Sequence, residues 1–130
     1  MFELPPMTIS DTGRTGLGQW LGEVVATAGL IAVIVTLART GRAALSAVAV
    51  ASWIGAAYWF TSSTSFANPA VTIARMFSDT FAGITPASVP AFLLAQIIGA
   101  AAGATLAVSL YPDIPAPRPT EVRSRSSTTA

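Results

Sequence analysis

The chain has 130 residues, 52% of them hydrophobic and only 10% charged, where ordinary soluble domains carry about 25% charged residues. That balance points to a membrane protein. With no Cys and no His, disulfides, thiolate metal sites and histidine general bases are excluded, and a net charge of +1 gives no argument for nucleic acid as a partner.

The opening MFELPPMTIS lacks a basic stretch and carries Glu3 with two prolines, so it does not read as a cleavable signal peptide. Residues 1–17 read as a segment outside the membrane. An apolar run over residues 18–38 follows, broken only by Glu23. A second run, residues 43–61, and a third, residues 86–111, carry no charge. Each reaches the roughly 20 residues that a helix needs to cross a bilayer. Three such runs in so short a chain argue against a buried soluble core.

Between the second and third runs the character changes. SSTSFA is polar and irregular, and NPAVTIARMFSD, residues 68–79, has helical potential but is too short to span. After Tyr111 the tail, residues 112–130, is rich in Pro, Ser, Thr and Arg and lacks the apolar content to fold, so it reads as disordered. Residues 18–111 are therefore expected to form the membrane domain.

Arginines set the expected topology. Arg39 and Arg42 in the first link, with Arg118, Arg123 and Arg125 in the tail, lie on one side; Arg14 and Arg75 lie on the other. The bias places the link and tail in the cytoplasm, the N-terminus outside the inner membrane, and the NPA segment entering from the outer face. Small residues crowd the second run (Ser46, Ala47, Ala49, Ala51, Ser52, Gly55, Ala56, Ala57), and Gly99 and Gly103 stand in GxxxG spacing in the third. Such residues let membrane helices approach closely, so a tightly packed bundle is expected.

Asn is a good N-cap and Pro suits the first helical position, so Asn68-Pro69 reads as a helix start. Irregular backbone at membrane depth is tolerated only against protein or a water-filled cavity. A half-helix starting there points a positive dipole end, about half a unit charge, into that space. Pro69 removes one orphan donor, and an Asn68 amide turned into a cavity can donate to a passing solute. Such a site repels cations and offers hydrogen bonds to neutral solutes, which is channel chemistry. The six carboxylates form no paired constellation, so neither an enzyme nor a cofactor is expected.

FANPAVTIAR, preceded by an apolar helix and followed by VPAFLLAQIIGA, resembles the aquaporin and aquaglyceroporin (major intrinsic protein) family. The resemblance covers residues 18–111. It is to the second half of that fold: fourth helix, fifth helix, re-entrant NPA half-helix and sixth helix. It implies an all-α membrane protein with three transmembrane helices and one re-entrant half-helix, its N-terminus outside. It also implies a pore turn at Asn68, Pro69 and Ala70. Glu23 corresponds to a family glutamate that holds loop backbone near the NPA turn; the alternative is a solvated carboxylate at the outer interface. Gln96 matches a polar residue of the last helix and reads as an interhelical hydrogen bond.

Val71 departs from the pattern, because most members place an Arg there as one side of the selectivity filter. Counted back from Asn68, the other filter positions fall at Ala56 and at Ser65 or Phe66. Val71 and Ala56 cannot donate through their side chains, so the filter is expected to be wider and less cationic than in a strict water channel. Arg75, one turn on, either lines the outer mouth or serves as a helix-end charge. The missing filter arginine, with TSFANPAVTIAR and TFAGI, resembles a bacterial subgroup linked to arsenic resistance. That implies neutral solutes such as arsenite, glycerol and water.

The family is built from two inverted repeats, and these residues hold one. The expected partners are membrane lipid, small neutral solutes and a complementary first-half polypeptide, with oligomerisation left open. A fragment of a longer channel, from a truncated or split gene or a misplaced start, is the shortest explanation. Two parallel copies would place both half-helices on one side, and the arginine bias opposes an inverted copy. The competing reading is a truncated remnant that does not conduct.

Overall fold

A computed structural model describes residues 7–112. Apart from Pro112, the tail expected to be disordered lies beyond them, with Arg118, Arg123 and Arg125, and so does Glu3. The described residues form α1 (Leu17–Arg39), α2 (Ser46–Phe60), α3 (Pro69–Arg75) and α4 (Val89–Leu110), with no strand among them. Short 3-10 turns, Ala43–Leu45 and Pro86–Ser88, lead into α2 and α4. Three segments, Leu17–Arg39, Ala43–Phe60 and Pro86–Leu110, are long and apolar enough to cross a membrane. They fall on the three apolar runs of the sequence.

The fold rests on α1 against α4, its most extensive helix contact. The two helices run parallel. Near their starts Glu23 meets Gln96; at their ends the Arg39 guanidinium donates to Tyr111 O at 2.6 and 2.9 Å and to Pro112 O at 3.0 Å. A cation there meets the carbonyls left open at the C-terminus of α4. Close approach between the helices depends on Gly99 and Gly103. A Cβ on Gly99 would lie 2.5 Å from Val24 O and 2.9 Å from Thr27 Cβ, and one on Gly103 would overlap Ala28 O. The GxxxG spacing thus packs against the backbone of α1.

α2 packs on α1 alone among the helices. Trp53 lies over Gly29 and donates from Nε1 to Ala26 O at 2.8 Å. The tight bundle expected from the small residues of α2 is not formed by these residues. Only Ala57 is buried, and Ser52, Gly55, Ala56 and Trp59 are exposed. The physical reason is reach: no other described element extends to that face.

The half-helix is also shorter than the expected residues 68–79. It ends at Arg75, where Met76 N and Phe77 N turn to the i−3 carbonyls of Ile73 (3.2 Å) and Ala74 (3.1 Å). The freed carbonyls are taken from outside the helix: Arg75 O by Ile84 N (3.3 Å), Met76 O by Ser10 N (2.8 Å) and Phe77 O by Thr8 N (3.2 Å). Thr85 N donates in turn to Thr12 O at 2.8 Å. The segment before α1 therefore lies along the far end of the half-helix, with Ser10 and Arg14 buried.

Candidate pore-lining site

The turn before α3 is built from strained backbone. Thr64 (φ 60°), Ser65 (φ 51°) and Ala67 (φ 47°) all occupy the left-handed region without being glycine. Each costs about 1–3 kcal/mol and persists only where surrounding groups dictate it. Glu23 is the group that does so. Fully buried on α1, it accepts from Phe66 N through Oε2 (3.3 Å) and from Ala67 N through Oε1. Ser63 Oγ accepts from Ser65 N at 3.2 Å. With the amides drawn toward α1, no hydrogen bond among the described residues ends on the carbonyls of residues 64–67. They remain as acceptors.

A buried carboxylate needs further donors, and α4 provides one. Gln96 Nε2 donates to Glu23 Oε1 at 2.9 Å and to Thr72 Oγ1 at 2.7 Å; the Thr72 hydroxyl donates to Asn68 O at 3.0 Å. The amide orientation follows from this chain. Thr72 spends its proton on Asn68 O and Glu23 can only accept, so Gln96 must present its NH2 to both. One network therefore joins α1, the turn, α3 and α4 around the start of the half-helix.

Asn68 caps α3 from extended backbone (φ −155°, ψ 121°), and its Oδ1 accepts from Ala70 N at 2.8 Å. With the oxygen committed to the cap, the carboxamide NH2 is the part left for a solute. Asn68, Pro69 and Ala70 are all exposed, whereas Thr72 on the opposite side of the half-helix is fully buried. Val71 is half-buried at the edge of the core formed by Phe66, Ile84, Val89 and Phe92.

Ser65 and Phe66 part company here. Ser65 is buried, and its Oγ has no hydrogen-bond partner. Phe66 turns into the core, 5.6 Å from the Phe92 ring centroid. Ala56 sits on the exposed face of α2. Arg75 is half-buried, with its guanidinium 5.8 Å from the Phe66 ring centroid.

Arg14, read in the sequence only as a topology charge, is 4% exposed. It donates from Nε to Gly83 O (2.6 Å), from Nη1 to Ser63 O (3.2 Å) and from Nη2 to Phe81 O (2.9 Å), and its Cζ stands 5.0 Å above the Phe66 ring. Burial pulls its pKa below the usual arginine range; the nearby Glu23 and Tyr58 act the other way. A lone Arg between glycine and threonine carries no sequence signal of burial. Thr72 and Ser63 are similarly silent.

The chain is 52% identical over 100 residues to the aquaglyceroporin AqpS of Rhizobium meliloti (strain 1021), a match covering 77% of this chain and 42% of that relative. Over the matched segment the chain is similar to a member of the aquaporin and aquaglyceroporin family. The chain spans about two fifths of the length of this family member, and the match is consistent with its C-terminal half. No family model and no solved structure matches the chain. The three apolar helices and this similarity support a multi-pass membrane protein.

Proposed function

We propose that the chain forms the second half of a passive channel for small neutral solutes, and that it conducts once a complementary first half closes the opposite wall. The observation carrying this reading is the open tip of the half-helix. The Asn68 NH2 and the free carbonyls of residues 64–67 provide donors and acceptors at one strained, Glu23-held turn. A polyhydroxy solute needs both. The positive end of α3 disfavours cations at the same place.

The exposed tip and the exposed small-residue face of α2 support the need for a second half. On this reading the membrane domain covers residues 18–111 in the inner membrane. Its N-terminus is outside and its C-terminus cytoplasmic, as the arginine bias favours. Ala56, Ser65 and Val71 form this half's share of the filter. Phe66 supports them from behind, and Arg75 stands at the outer mouth. Two of those three side chains are apolar, which favours glycerol and uncharged arsenous acid over a filter tuned for water alone. The aquaglyceroporin relative supports the same solute class.

Reconstitution tests the reading. These 130 residues alone in liposomes are expected to show no glycerol or arsenite flux above protein-free vesicles. Co-reconstitution with a complementary first half is expected to open it. Strong flux from the chain alone would remove the need for a partner, and silence with every first half would assign the chain to a non-conducting remnant. In the assembled channel, Val71→Arg is expected to lower glycerol and arsenite flux about tenfold, about 1.4 kcal/mol of added barrier, with a smaller effect on water. An unchanged ratio of polyol to water flux would place Val71 away from the constriction.

A further inference from the structure

We propose that Arg14, from the segment before α1, supplies a fixed positive charge beside Arg75 at the outer mouth, where Val71 supplies none, and so excludes cations from the pore. The inference rests on the channel reading above and names a residue that determines its specificity.

The argument begins with how firmly this charge is held. Arg14 donates to carbonyls on both sides of the half-helix: Ser63 before it, Phe81 and Gly83 after it. Its own backbone N donates to Ser88 Oγ at 3.1 Å, at the entry to α4. A guanidinium has five N–H donors. The three bonds to carbonyl oxygens leave two N–H groups uncommitted. Those three partners are neutral, and no carboxylate among the described residues forms an ion pair with Arg14. The charge is therefore fixed in position, with the buried Glu23 the carboxylate that acts on it through space.

Its location bears on the pore. The guanidinium lies 5.0 Å above the ring of Phe66, two residues before Asn68. Arg14 also lines a cavity of about 520 Å³ with Gly13, Gln19, Ser62, Thr64 and Asp79. Asp79 is the opposing charge there, but it is exposed and water screens it, whereas Arg14 is buried. Asp11, also exposed, offers its backbone N to Asp79 Oδ1 at 3.4 Å. A buried cation held among neutral carbonyls acts over a longer range than an exposed one.

Gly13 allows a test that leaves the Arg14 side chain intact. A Cβ added there meets nothing within 4 Å. Gly13→Asp adds a carboxylate to the cavity that Arg14 lines, and Gly13→Asn is its uncharged counterpart. In proteoliposomes holding the chain with a complementary first half, sodium leak, reversal potential and glycerol swelling are measured together. Gly13→Asp is expected to raise sodium leak relative to glycerol flux about tenfold, with a cation-selective reversal potential, an effect equivalent to about 1.4 kcal/mol. Gly13→Asn is expected to stay tight. Arg14→Gln is expected to leak as Gly13→Asp does, Arg14→Lys to stay tight, and Arg42→Gln, in the link between α1 and α2, to match the parent.

Equal tightness of Gly13→Asp and Gly13→Asn would overturn the inference. So would leak without cation preference in both Arg14→Gln and Arg14→Lys, which would make Arg14 a loop clamp only. If the parent assembly passes no neutral solute, the channel reading fails first and takes this inference with it.

Discussion

Glu23→Gln is expected to disorder the turn that carries the proposed pore-facing groups and to lower solute flux in the proposed assembled channel by more than about tenfold, roughly 1.4 kcal/mol or more of barrier. Glu23 receives three donors in a fully buried site: Phe66 N, Ala67 N and Gln96 Nε2. Hydrogen bonds to a charged group contribute about 1.5–3 kcal/mol each. Glutamine keeps the shape but replaces one accepting oxygen with an NH2. That group must face a backbone N–H or the Gln96 amide, both donors, and a buried donor is left unsatisfied.

The strain at Thr64, Ser65 and Ala67 then loses its restraint, and the turn relaxes toward ordinary backbone. Amide hydrogen exchange at Phe66 and Ala67 is the direct measurement, and it should accelerate strongly while exchange in the middle of α1 and α4 does not. Unchanged protection at both amides would show that the turn holds itself. Gln96→Leu is expected to have the smaller effect, because it removes one donor from Glu23 and leaves both backbone donors in place.

Gly103→Ala is expected to separate α1 from α4 locally and to lower the thermal stability of the chain in detergent, with Gly103→Leu more damaging still. The added Cβ would overlap Ala28 O and lie 2.8 Å from Ala28 C and 2.9 Å from its Cα. Backbone atoms cannot turn aside as a flexible side chain can. Overpacking costs about 1–3 kcal/mol, toward the upper end where the obstacle is main chain. Because α1 and α4 carry the Glu23–Gln96 bond, flux should fall along with stability. Gly55→Ala serves as the comparison: its Cβ meets nothing within 4 Å, so melting of the isolated chain should not decrease. Equal loss from both substitutions would show that close approach to the Ala28 backbone does not set the cost.

The three spans were legible because hydropathy is a property of each run by itself, and the helices end within a residue or two of where the apolar runs do. The start of α3 was legible for a similar reason: an Asn cap and a Pro at the first helical position act within a few residues. Its end was not. Nothing in MFSD tells that Ser10 and Thr8, far earlier in the chain, take the carbonyls of Met76 and Phe77.

The sequence by itself determined the apolar spans, the capped half-helix and the departure at Val71, all of which are local in the chain. Only the tertiary structure decided that Phe66 faces the core while the Ser65 hydroxyl lacks a partner, and that Gly103 is pressed against α1 while Gly55 faces open space. It also decided that Arg14 is buried, through bonds to residues 49 to 74 positions away. Burial of a polar group depends on partners brought from elsewhere in the chain, and hydropathy read along the sequence contains no record of them.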